Sequence, residues 1–147
     1  GVGKTHLAAA IANYQADRGY SAMFVVVPDL LDHLRAAFSP DARTSFDQRF
    51  EEVRNAPLLI LDDLGTESAT AWAREKLYQI INYRHVGRKP TVITTSVSPD
   101  DLDPRIRTRI LDVTHCTVCP INVPSFRGGG SDRPAAKGTK STSPRRK

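Results

Sequence analysis

The sequence predicts an α/β fold built on a mainly parallel β-sheet, and three observations carry that expectation. Segments of helical periodicity alternate with short apolar runs along most of the chain. The runs within YSAMFVVV, LLILDD and TVITTS are nearly continuous in apolar or β-branched residues, as strands covered on both faces are. Two of them end in polar groups, at the strand ends where parallel sheets bind ligands.

Each element follows from its pattern. The first helix is expected from about Lys4 to Arg18, with Leu7, Ile11 and Tyr14 on its buried face and Gly19 as a left-handed C-cap. YSAMFVVV is the first strand and breaks at Pro28. Two short helices come next, one burying Leu30, Leu31, Leu34 and Phe38, the other Phe46, Phe50 and Val53. After the turn NAP, LLILDD forms the second strand. A longer helix from about Thr70 to His85 turns Ala73, Leu77, Ile80 and Ile81 inward, and Gly87 closes it. TVITTS is the third strand. Ser98, Pro99 and Asp101 read as the cap and first turn of a short helix, and Asp103 with Pro104 starts another that runs to about Leu111. HCTVCPINV is expected to be a last strand, with Cys116 and Cys119 as small core residues.

With 147 residues and 39% apolar content, the chain can bury one sizeable core. No run approaches the roughly 20 apolar residues that a membrane helix needs, and no leader pattern opens the sequence. A soluble, cytoplasmic protein without a membrane partner is therefore expected. Two cysteines do not make a disulfide framework, and one C-x-x-C pair argues against a structural zinc site. Charge is unevenly spread: residues 127–147 hold seven Lys/Arg against one Asp, whereas the rest has 14 Lys/Arg and 15 Asp/Glu. Poor in apolar residues, that stretch reads as a flexible basic tail, and contact with nucleic acid is its functional alternative to mere solvation.

Chemistry concentrates at three places. Gly3-Lys4-Thr5 supply the last three positions of the phosphate-binding form G-x-x-x-x-G-K-[ST], whose first glycine would lie upstream of Gly1. In that form the backbone around Gly1, Val2, Gly3 and His6 cradles phosphates at a helix start, Lys4 neutralises their charge, and the Thr5 hydroxyl binds Mg²⁺. LLILDDLG has the form of a Walker B strand: Asp62 emerges where it can hold Mg²⁺ through water, and Asp63 where a base can orient the attacking water. Thr95 and Ser96 end the third strand where a polar side chain can sense the γ-phosphate. Farther on, Arg105 and Arg109 share a helical face with Arg107 turned away. Such a face suits either an arginine reaching a neighbouring subunit's phosphate or a plain solvated basic surface.

In combination the segments GVGKTHLAAAIAN, VPDLLDHLRAAF, LLILDDLGTE, WAREKLYQIINYRH, PTVITTSVSPDDL, RIRTRIL and PSFRGG resemble the DnaC/IstB-type ATP-binding proteins, a branch of the AAA+ ATPases that includes bacterial helicase loaders and transposition helper proteins. The resemblance implies a P-loop NTPase (AAA+) fold, a parallel sheet sandwiched by helices, over residues 1–126, followed by the basic tail 127–147. It implies ATP and Mg²⁺ as cofactors, nucleotide held between adjacent subunits by self-association, and a replicative helicase or transposase and single-stranded DNA as partners. Lys4 and Thr5 match the family's Walker A pair, and Asp62 and Asp63 its Walker B pair. Ser96 stands where the family usually has the sensor 1 asparagine, a departure because a hydroxyl reaches less far than an amide. Arg109, in Thr108-Arg109-Ile110, matches the arginine finger, and Arg127 in SFR the sensor 2 arginine. The two helices between Leu30 and Val53 take the place of the helical element that initiator-type relatives turn toward single-stranded DNA.

In that fold a central strand leads into the phosphate loop and is flanked by TVITTS and HCTVCPINV. The sequence is therefore read as an N-terminally truncated form of a longer protein, lacking that first strand, the first loop glycine and a partner-binding region. Two functions follow: an ATPase switch that acts in helicase loading or transposition, or a non-catalytic module that contacts nucleic acid or protein through its basic tail.

Overall fold

The structure, a computed structural model, describes residues 2–66 and 70–124. Gly1, Arg127 and the tail lie outside the described residues. β1 (Ala22–Val26), β2 (Leu58–Leu64) and β3 (Thr91–Thr95) form a parallel sheet in that order. Between the strands run α1 (Lys4–Asp17) before β1, α2 (Val27–Ala36) and α3 (Phe46–Asn55) between β1 and β2, and α4 (Ala71–Val86) between β2 and β3. A 3₁₀ turn, Pro99–Asp101, and α5 (Pro104–Ile110) follow.

β2 is central and buried except at Asp63. Its side chains alternate as a strand's must. Leu58 and Ile60 meet α1 through Ala8 and Ala12, while Leu59 and Leu61 join the larger core built by α2 to α5. That is the expected sandwich. Most of the core-facing sets of the short helices are as read from sequence: α2 buries Leu30, Leu31 and Leu34, and α3 buries Phe50 and Val53, while Phe46 is only partly buried against the core. Phe38 lies past the end of α2 and is largely exposed, but its ring stacks on Phe46 at 4.5 Å.

The ends of the helices follow their side chains. Ser45, Thr70 and Asp103 each accept a hydrogen bond from a first-turn N–H of α3, α4 and α5. Gly19 takes the left-handed conformation after α1, and the N–H groups of Gly19 and Tyr20 satisfy the last carbonyls. At the end of α4 the left-handed residue is Arg88, not Gly87.

Two expectations are corrected. Leu7 and Tyr14 are 56% and 61% exposed, and Ile11 is exposed too; the face of α1 on the sheet is the alanine stripe of Ala8 and Ala12. Small residues let the helix axis approach the strands, so the large apolar side chains, one step round the helix, point away. Nor is HCTVCPINV a strand: residues 117–124 have no strand pairing, and Cys119 is exposed. A strand there would need a neighbour in the sheet, and among the described residues β3 pairs with β2 alone.

Candidate functional site

The candidate site forms where the start of α1 meets the C-terminal ends of β2 and β3. Gly3 precedes α1 at φ 90°, a left-handed turn that glycine adopts without strain. The N–H groups of the first turn, at Lys4, Thr5 and His6, have no intrahelical carbonyl to bond and sit at the positive end of the helix dipole. Thr5 reaches across to β2, donating its hydroxyl to Asp62 at 2.9 Å from Oδ2 and 3.2 Å from Oδ1. Asp62 is only 4% exposed. Thr94 on β3 donates to its Oδ1 at 2.6 Å, so the buried carboxylate is held from two elements.

A bulge shapes this end of the sheet. Register between β2 and β3 slips between Leu61 and Leu64, and Asp63 sits within it at φ 64°, rare for a residue that is not glycine. The slip resets the alternation: Leu64 rejoins the core beside Leu59 and Leu61, although strict alternation would turn it away. Asp63 donates its N–H to Thr94 Oγ1 at 3.0 Å, so one hydroxyl ties both aspartates. Its carboxylate accepts from Thr66 at 3.1 Å. Strain of this kind concentrates at functional positions.

Thr5 and Asp62 offer hard oxygen donors, the type Mg²⁺ takes. The hydroxyl of Thr5 is the direct donor, and Asp62, hydrogen-bonded to it at 2.9 Å, lies where it reaches the ion through water. The pair therefore fits the ion that the sequence motif calls for. Ser96 is exposed just beyond β3, while Thr95 spends its hydroxyl on the carbonyl of Leu64 at 2.7 Å.

The arginines of α5 lie elsewhere, against α4. Arg105 pairs with Glu75 at 2.9 Å and lies 4.4 Å from the centre of the Tyr78 ring, and its hydrogen bond holds the Glu75 carboxyl below its usual pKa. Arg109 donates from Nε to Asn82 at 2.8 Å. Arg107 turns the other way, to Asp100. So Arg105 and Arg109 do share a face, but it is packed on a helix rather than merely solvated.

Two residues were missed by sequence reasoning. Thr94 is the hinge of the site, and the signal for it was strand alternation: Val92 faces α1, so Thr94, two residues on, faces the same way as Asp62. Arg84 is fully buried and donates to the carbonyls of Arg54, Ala56 and Pro90 at 2.7–2.9 Å, with Nε on Thr91. Burial pushes its pKa down to about 10, which leaves it cationic at neutral pH. It extends the buried stripe of Leu77, Ile80 and Ile81 by one helical turn.

Residues 1–132 match the family described as IstB-like ATP binding protein. The chain is 36% identical over 103 residues to the replicative helicase loader DnaI of Bacillus subtilis, covering 69% of this chain and 32% of that protein. It is 29% identical over 112 residues to the replicative helicase loader DnaC of Escherichia coli, covering 76% of this chain and 45% of the relative. The chain thus spans less than half the length of these relatives. A crystal structure of the DnaC helicase loader superposes with a TM-score of 0.67 at 30% identity, covering 80% of this chain and 71% of that one.

Proposed function

The chain belongs to the family of IstB-like ATP binding proteins, and on that premise we propose that it binds ATP with Mg²⁺ and hydrolyses it as a switch in helicase loading or transposition. The observation that supports this reading most is the hydrogen-bonded chain Thr5–Asp62–Thr94, which joins the glycine-lysine-threonine turn to the acidic end of the central strand. Bound Mg²⁺ would neutralise charge on the β- and γ-phosphates. Thr5 and Asp62 would hold the ion, and Lys4 with the first-turn N–H groups up to His6 would hold the phosphates. Asp63 would orient the attacking water, which requires the Thr66 hydroxyl to share or release its carboxylate. Arg109, Ser96 and Arg127 complete the proposal, the first reaching a neighbouring copy's nucleotide and the others contacting bound nucleotide in the same chain. A replicative helicase or a transposase in the cytoplasm, together with single-stranded DNA, would be the partners.

Binding of a fluorescent ATP analogue with Mg²⁺ to the chain and to its Lys4→Ala variant tests the site. Weak binding by the chain, made weaker still by Lys4→Ala, is expected, and equal binding by the two overturns the proposal. Asp63→Asn should keep binding and slow hydrolysis by about 100-fold or more. Mixing Lys4→Ala with Arg109→Ala chains examines the shared site: activity regained on mixing is expected, whereas none removes Arg109 from the neighbour's site. Binding to nucleic acid with no response to ATP would favour the non-catalytic module.

A further inference from the structure

Among the described residues, one cluster of metal-ligating side chains lies apart from the proposed nucleotide site. His85, on the last turn of α4, places Nε2 2.9 Å from Asp112 Oδ2, and His115 places Nδ1 3.1 Å from the same oxygen. The three donor atoms lie within 4.8 Å of one another, and the imidazoles meet edge to face at 5.2 Å. Asp112 follows α5 and opens a tight turn: the N–H groups of His115 and Cys116 both donate to its carbonyl. Its other carboxylate oxygen, Oδ1, is occupied by Thr114, from the hydroxyl at 2.6 Å and the backbone N–H at 3.0 Å. Oδ2 is thereby aimed at both histidines.

From this we propose that His85, Asp112 and His115 form a binding site for a divalent transition-metal ion, zinc by its ligand chemistry, which clamps the turn after α5 to the end of α4. Two imidazoles and one carboxylate are a ligand set that zinc accepts, with a fourth position left for water. Donors around a tetrahedral zinc with bonds of about 2.0–2.1 Å stand about 3.3 Å apart; the two nitrogen–oxygen separations, 2.9 and 3.1 Å, open by a few tenths of an ångström to reach it, and the two histidine nitrogens, within 4.8 Å of each other, settle to the same spacing by turning their rings. Thr114 supplies the outer hydrogen bonds that fix a ligating carboxylate; its hydroxyl, whose hydrogen goes to Oδ1, also accepts from His115 Nδ1 at 2.6 Å, a contact that ligation by Nδ1 replaces. Those bonds, with lesser contributions from His115 and His85, hold the Asp112 carboxyl well below the usual carboxylate range, ionised as a ligand must be. The neighbouring cysteines are not part of the set. Cys116 donates its thiol to the carbonyl of Arg109, burial pushes its pKa up, and Cys119 is exposed.

The site also bears on the arginine beside it. Asn82 and His85 are one turn apart on α4, as Arg109 and Asp112 are along α5 and its end, so the ion would sit one turn from the Asn82–Arg109 hydrogen bond. An occupied clamp fixes the helix that presents Arg109.

The test is a cobalt(II) titration of chelator-treated chain without nucleotide, followed by zinc competition against a chromophoric chelator. One equivalent of cobalt should give a visible ligand-field band of tetrahedral intensity, displaced by zinc, with no thiolate charge-transfer band. His115→Ala should weaken binding by about 10–100-fold, and Thr114→Ala, which leaves all three ligands, should weaken it less. A Cys116→Ser, Cys119→Ser double variant should bind like the parent. His115 is partly exposed, and circular dichroism establishes that its variant is folded. No tetrahedral band, an unchanged affinity in His115→Ala, or a thiolate band lost in the double variant would each overturn the proposal.

Discussion

The two faces of the sheet are built differently. Among the described residues, sixteen buried apolar side chains form one cluster on the side of α2 to α5, and three, Ala8, Leu58 and Ile60, form another on the side of α1. The thick face holds stability, while the thin face is where the glycine-lysine-threonine turn enters and where Thr5 crosses to Asp62. A helix that must bring its N-terminus against strand ends is best seated by small residues, and alanines provide that seat. The difference teaches that the site is mounted on the less consolidated half of the fold.

The largest effects should come from the thick face. Replacing Arg84 with Met leaves carbonyls of Arg54, Ala56 and Pro90 buried without their donor, and should cost roughly 3–5 kcal/mol in unfolding by urea or heat. Leu77→Ala, in the same layer, should cost roughly 2–5 kcal/mol through lost transfer energy and the cavity left behind. Should either variant unfold at the parent's midpoint, the thick face would not be the stabilising one.

Thr94→Val sharpens the contrast from the seam between the faces. It keeps the β-branched shape but removes the hydroxyl that serves both Asp62 and the N–H of Asp63. A loss of about 1–3 kcal/mol is expected, with a larger fall in Mg²⁺-dependent nucleotide binding than the stability loss alone explains. Normal nucleotide binding in a folded Thr94→Val chain would separate the bulge from the site.

What was legible in the sequence divides along the same line. LLILDD identified β2 and its acidic end because a continuous apolar run ending in two carboxylates, after a glycine-lysine-threonine segment earlier in the chain, favours a Walker B strand over an Asp pair that merely caps the next helix. The stripe of Ala73, Leu77, Ile80 and Ile81 located the buried face of α4, yet its next member, Arg84, was passed over because charge normally marks the solvent side. On α1 the error was reversed: Leu7, Ile11 and Tyr14 have helical spacing and bulk, whereas the buried positions are alanines that no hydrophobic pattern favours. Alternation from Val92 turns Thr94 toward Asp62, but its second contact, with the N–H of Asp63, was hidden by the bulge, since a slip in register and a positive φ at Asp63 arise only when two strands meet. The pairing of His85 with Asp112 is not legible in the sequence, because the two lie 27 residues apart and approach only once α5 packs on α4.

The smallest effects should come from α1, where a pair of substitutions tests the thin face directly. Leu7→Gln removes a large apolar side chain from solvent and should change stability by no more than about 0.5 kcal/mol. Ala8→Leu adds apolar bulk, which hydrophobicity alone would count as a gain, but it forces α1 away from Leu58 and Ile60 and should cost about 1–3 kcal/mol. Because α1 starts at Lys4, the same displacement should lengthen the Thr5–Asp62 contact and weaken nucleotide binding. A neutral Ala8→Leu with a costly Leu7→Gln would mean that the leucine stripe seats the helix, and the order of the two effects measured by urea unfolding decides between the faces.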